Sequence, residues 1–174
     1  MNLATITDLY RHMQWSDALV WRVTFACASA REDARVNELF YHLHLVQHAY
    51  LRGFRHEPMQ AAWPTFADAP SLMLWGRSYY PEIQHYLESL SEEALANPFE
   101  TPWVEIVTRE LGRPPAEVTL GELMMQAPLH SLYHRGQINT RLREVGAEPP
   151  NVDYIVWCWL GKPSPEWIEI GAEL

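Results

Sequence analysis

Long stretches of helical apolar periodicity, cut by segments bearing proline and glycine, leave this chain few folds to choose from. Residues 5 to 29 place Ile6, Leu9, Met13, Ala18, Leu19, Val20, Val23 and Phe25 in one run with no proline or glycine, which predicts a long amphipathic helix. The cluster "SARED" (29 to 33) interrupts it. A second helix is expected from about Val36 to Phe54, burying Leu39, Phe40, Leu43, Val46, Tyr50 and Leu51 and closing at Gly53 and Pro58. A third runs from about Ser71 to Leu90; Pro81 inside it implies a kink or a split, because proline removes a backbone donor and crowds the preceding turn. Thr119 heads a fourth, with Glu122 at capping-box spacing. This helix reaches Val145, stops at Gly146 and Pro149, and should bend at Pro128. A short last helix, "NVDYIVWCWL", takes Asn151 as its cap. Segments 56 to 70, 91 to 102 and 111 to 119 read as loops, "WVEIV" (103 to 107) is ambiguous with a strand, and the tail from 161 has no clear period. Four long helices with long crossover connections predict an all-α four-helix bundle in a single domain, residues 1 to 174. Such bundles build metal and ligand sites from residues projecting inward.

Composition excludes several functions. The formal charge is −9, and the 13 basic residues are scattered, which argues against nucleic acid as a partner. No stretch reaches the roughly 18 apolar residues of a membrane span. The start "MNLATITDLYRHMQW" lacks the basic and apolar regions of a signal peptide. Cys27 and Cys158 sit among apolar neighbours outside any zinc-type spacing, so both are expected to be buried free thiols in a reducing, cytoplasmic setting.

The histidines carry the chemistry. His130 and His134 in "HSLYH" are four apart on a helix, so both rings share one face about 6 Å apart along the axis and can grip one cation. Zinc proteases use the same spacing in H-E-x-x-H, but Ser131 stands where they carry their general base. The second helix offers His42, His44 and His48 as a third ligand. His42 follows Leu39 by three and precedes Val46 by four, which puts it on the expected core-facing stripe; His44 and His48 align with Phe40 and Leu51 toward one edge. Phase therefore favours His42, with His44 and His48 as alternatives. Gly136 in mid-helix costs about 1 kcal/mol relative to alanine, which close approach of another helix would offset. Gln137 either braces a ligand or is solvated. Glu38, one turn before His42, and Tyr133 are candidates for a base or proton relay, set against a solvated helix residue and a packing residue.

The stretch "HSLYHRGQI" is similar to the H-x-x-x-H-x-G-Q signature of the DinB/YfiT-like family, and "LFYHLHLVQHAYLRGF" resembles that family's second-helix segment. There, one histidine is followed eight residues on by an aromatic and then an aliphatic residue; the match falls on His42, Tyr50 and Leu51. "MQWSDALVW" and the downstream "PPNVDYIVWCW" also look like family features. The resemblance implies a four-helix bundle, often a homodimer, with His42, His130 and His134 holding a divalent metal such as zinc or nickel. It further implies relatives that transfer or isomerise small molecules with low-molecular-weight thiols. The residue five after the first histidine is often acidic in that family, and here it is Gln47.

Three functions compete. The first is a metal-dependent thiol (S-)transferase acting on a small molecule, with a hydrolase as its variant; Ser131 offers no base, and a metal-held thiolate needs none. The second is a di-iron carboxylate protein, which needs two Glu-x-x-His motifs, of which the chain has one, Glu82 to His85. The third is a non-catalytic dimeric module with a structural or vestigial metal. The Pro- and Trp-rich segment 56 to 70 is a candidate pocket wall.

Overall fold

The computed structural model describes residues 2–170, so Met1 and the last four residues of the expected domain lie outside the described residues. Its helices are α1 (Leu3–Ala26), α2 (Ala28–Arg31), α3 (Ala34–Phe54), α4 (Ala69–Ser89), α5 (Val104–Leu111), α6 (Leu120–Glu144) and α7 (Tyr154–Trp159). The four long ones start where a side chain accepts a bond from a free backbone N–H: Asn2 from Thr5, Asp33 from Val36, Asp68 from Ser71, and Thr119 from Glu122 in a reciprocal capping box. The end of α6 is a Schellman turn: Gly146 takes φ +89°, and the amide of Ala147 reaches the carbonyl of Leu142 at 2.9 Å.

α3 packs on α6 and α4, and α1 packs on the other sides of the same two helices, closing a four-helix ring. Paired side chains fix the directions. Tyr10 with Met124 and Ser29 with Val145 make α1 and α6 parallel. Asp33 with Arg141 makes α3 run against α6, and His48 with Trp75 and Arg55 with Glu82 make α3 and α4 parallel. Parallel neighbours α3 and α4 require the long crossover 55 to 68. The link from α4 to α6 carries a 3-10 turn (Glu93–Ala96), α5, and a two-residue antiparallel ladder pairing Pro98 with Thr119 and Phe99 with Val118. The core forms two apolar clusters. One holds Trp21, Phe40, Leu43, Ile138 and Trp157; the other holds Ile6, Met13, Phe54, Ile83 and Met124. No helix among the described residues is long and apolar enough to cross a membrane.

Several local expectations are corrected. "WVEIV" is helical, contributing the start of α5. α1 ends at Ala26 rather than 29, and Cys27 joins it to α2. Both cysteines are free and only partly buried, because Cys27 lies at that junction and Cys158 on the short α7. Asn151 does not cap α7; its side chain accepts from the amide of Asp153, a local turn that delays the helix to Tyr154. α4 runs through Pro81 without a break. α6 runs through Pro128, as expected; the missing N–H leaves the carbonyl of Met124 free, and the buried Tyr10 hydroxyl donates to it at 2.9 Å.

Candidate metal centre

His42 on α3 meets His130 and His134 on α6 at the groove between these antiparallel helices. One ring nitrogen from each lies within 4.8 Å of the others. Ring centroids are 4.4 Å apart for His130–His134, 4.5 Å for His42–His134 and 5.6 Å for His42–His130. Zinc–nitrogen bonds of about 2.0–2.1 Å limit two ligands of one ion to roughly 4.2 Å separation. A small side-chain rotation therefore brings the set into range, and His42, exposed on its outer side, is free to make it.

Three further observations fit a cation. Nε2 of His130 is buried and has no hydrogen-bond partner, a costly state for a polar atom unless something occupies it. Nδ1 of His134 lies 2.7 Å from the Gln137 side-chain carbonyl. That oxygen only accepts, so Nδ1 carries the proton and Nε2 is left bare to ligate. Burial, and then the neighbouring imidazoles, hold the His130 ring down to about 4; burial and His134 lower His42, against a smaller upward pull from Glu38. Both rings are thus neutral at physiological pH, the form that binds metal.

The remaining histidines have other employment. His44 is fully buried: its Nε2 accepts from the Trp21 indole at 3.0 Å, which leaves the proton on Nδ1 to donate to Gln47 at 2.9 Å. His48 stacks on Trp75 and bonds its backbone carbonyl at 3.1 Å. Neither can replace His42. The phase expectation for α3 is corrected here, since position 44 faces the core and position 42 lies on its open flank. Gly76 on α4 makes the room for His44. A Cβ there would stand 2.4 Å from the His44 ring, so only glycine leaves the room that a polar residue at a core position needs. His12 is buried and bonded to the Val152 carbonyl at 2.8 Å.

The other candidates separate clearly. Gln137 braces His134, as above. Glu38 is exposed and held by Arg35 at 2.7 Å. Tyr133 is 65% exposed, with its ring edge-on to His134 at 5.1 Å. Ser131 points away from the site into the bundle, where it bonds Gln47. A methyl at Gly136 would meet nothing within 4 Å, so no helix approaches it. Glu82 is bound by Arg55, and His85 is exposed, so "EIQH" faces outward rather than into a di-iron core. Segment 56 to 70 walls a different cavity of about 240 Å³, between α3 and α4, with Gln60 and Trp63 beside His48 and Arg52. Sequence reading missed a buried polar group beside the site: Asp17, Tyr80 and Arg135 with Gln47 and Ser131. Polar and charged types at buried helical positions are its only trace in sequence.

An all-α bundle with a three-histidine cluster on two antiparallel helices defines a class of helical proteins able to hold a metal. The DinB family model matches residues 1–164, and the chain belongs to the DinB family. In structure it is similar to a DinB-like protein from Bacillus cereus ATCC 10987, with 16% identity, a TM-score of 0.53, and coverage of 86% of this chain and 93% of that one. No curated protein sequence matches it.

Proposed function

We propose that His42, His130 and His134 hold one divalent ion, zinc or nickel, and that the protein is a metal-dependent thiol (S-)transferase acting on a small molecule. The observation that carries the metal reading is the orphaned, buried Nε2 of His130 inside a cluster of three imidazoles. When bound, the ion supplies Lewis acidity, and an all-neutral shell leaves its full +2 charge to acidify a thiol or a water. Among the described residues, Glu38 is paired with Arg35, Ser131 faces the core and Tyr133 is an exposed phenol, so none stands out as a general base. That favours a thiol, which needs no base once acidified, over water and hydrolysis. Gln137 orients His134, and the exposed side of His42 leaves an approach for substrate.

An apolar recess of about 530 Å³, lined by Phe99, Trp103, Val107 and Leu123, suits the apolar part of an electrophile. Leu123 is two turns before His130 on the same face of α6, about 10 Å along the axis. Trp103 closes that end of the groove against Tyr50 and Gly53. A homodimer belongs to the same proposal: Leu129, Leu132 and Tyr133 are 49, 48 and 65% exposed on α6. A cytoplasmic location accords with two free cysteines.

Metal analysis of the purified protein is expected to give one divalent ion per chain, lost in His42→Ala and His134→Ala. Unchanged stoichiometry in both variants would remove the site. Conjugation of glutathione, bacillithiol or mycothiol to a chloronitrobenzene, abolished by chelation, tests the transferase reading. Turnover of activated esters with no thiol conjugation would favour the hydrolase.

A further inference from the structure

A polar layer lies at the junction of the two apolar clusters, which share Trp167 at their margin. On α1 it is Asp17, between Met13 and Val20. On α3 it is His44 and Gln47, between Leu43 and Leu51; on α4, Tyr80 with Gly76, beyond Met73; on α6, Ser131 and Arg135, between Ala127 and Ile138. All these side chains are at most 2% exposed. Arg135 Nη1 donates to Asp17 Oδ1 at 2.7 Å, and the Tyr80 hydroxyl donates to Asp17 Oδ2. The Gln47 amide nitrogen donates to Asp17 Oδ2 at 2.8 Å and to Ser131 Oγ at 3.1 Å, and its oxygen accepts from His44 Nδ1. His44 in turn accepts from Trp21. The Gln47 amide nitrogen also lies 3.4 Å from the Tyr80 hydroxyl on α4, so this one residue joins all four helices.

A buried ion pair of this kind is a poor source of stability, because apolar residues of the same volume usually do as well or better. What it confers is register: the bonds run between different helices, and a rotation or slip of any one helix breaks several of them at once, although Arg135 Nε is left without a partner. The layer's place in the bundle shows what that register serves. Ser131 and Arg135 each follow a site histidine by one residue on α6, and His44 follows His42 by two on α3. The Gln47–Ser131 bond therefore pins α3 to α6 at the level where His42 must face His130 and His134.

We infer that the Asp17–Gln47–Ser131–Arg135 layer is a positioning device that holds the rotation of α3 and α6 so that the three histidines converge, with Gln47 as its central positioning residue. The inference rests on the proposed metal site. It concerns residues that touch no ion and face the bundle interior beside the site.

The test uses cobalt(II) as the probe on the full chain, with affinity and the visible d–d spectrum as readouts, in wild type, Gln47→Met, Ser131→Ala and His134→Ala. Gln47→Met keeps length and volume and deletes every bond; Ser131→Ala deletes the cross-link alone. The expected result is native helicity in both, cobalt affinity weakened about tenfold in Gln47→Met, the low end for indirect supports of a ligand, a smaller loss in Ser131→Ala, and an altered d–d spectrum in each. Ser131→Thr, which keeps the hydroxyl, should restore the wild-type spectrum. If Gln47→Met does not fold, Ser131→Ala and Ser131→Thr decide. Affinity within twofold of wild type and an unchanged spectrum, with only a lower melting temperature, would overturn the inference. Failure of wild type to bind cobalt, or binding that survives in His134→Ala, would instead overturn the site itself.

Discussion

At the scale of single residues, two glycines on long helices have opposite roles. A methyl at Gly76 would stand 2.4 Å from the His44 ring, while one at Gly136 would meet nothing within 4 Å. Gly76→Ala should therefore push His44 off Trp21 and Gln47 and lower the unfolding free energy by roughly 1–3 kcal/mol or more. Gly136→Ala should raise it by about 0.4–1 kcal/mol through helix propensity and a less flexible unfolded chain. Urea denaturation of both variants checks the pair, and equal effects would contradict the contact at Gly76. Sequence reading assigns close approach to Gly136, because a mid-helix glycine is visible as a cost but the partner that explains it is not. His42 shows the same limit. Its neighbours Leu39 and Val46 share its stripe, as the period says, yet that stripe lies at the edge of the core, where Leu39 is buried, Val46 half-buried and His42 exposed. Apolar periodicity cannot register that His44 and Gln47 occupy the interior as polar residues.

At the scale of elements, α6 survives an internal proline because another helix repairs it. Tyr10 on α1 supplies the hydroxyl that the Met124 carbonyl would otherwise lack. Tyr10→Phe should cost about 1–3 kcal/mol, the range for leaving a buried acceptor unsatisfied. Pro128→Ala puts an N–H back at the position that serves that carbonyl, so Tyr10→Phe should cost distinctly less in the Pro128→Ala background. A double-mutant cycle by chemical denaturation measures the coupling, and strict additivity would contradict the repair. The four long helices, the capping box at Thr119 and Glu122, and the stop at Gly146 are legible in sequence, because each is written in local residue types. Of the kink or split expected at Pro81, the split does not occur, and the helix expected through Pro128 is continuous. Proline states what a helix loses and is silent on what tertiary contacts return.

At the scale of the whole molecule, the metal-free protein should be sensitive to mild acid. Burial lowers His42, His44 and His130, the last to about 4, whereas an unfolded imidazole takes its proton near 6.5. Between those values the unfolded chain binds more protons, so stability rises with pH. The contribution is fully present above about 6.5 and is lost as pH falls toward the His130 value of about 4. The melting temperature of the metal-free protein should be level above about pH 7 and fall across that window. A His130→Ala variant should fall less steeply, and an identical slope would remove His130 from the account. The up-down-down-up course of α1, α3, α4 and α6 has a consequence for the protein's turnover. His42 and the His130–His134 pair lie about half the chain apart, so only the closed bundle presents a three-armed grip, while an unfolded chain offers two arms at best. An ion that binds the native state alone adds RT ln(1 + [M]/Kd), about 2.7 kcal/mol at a hundredfold excess over Kd. Metal scarcity would then register as shorter protein lifetime, and a pulse-chase in chelated and metal-replete cells should show abundance tracking supply in wild type and indifferent to it in His42→Ala.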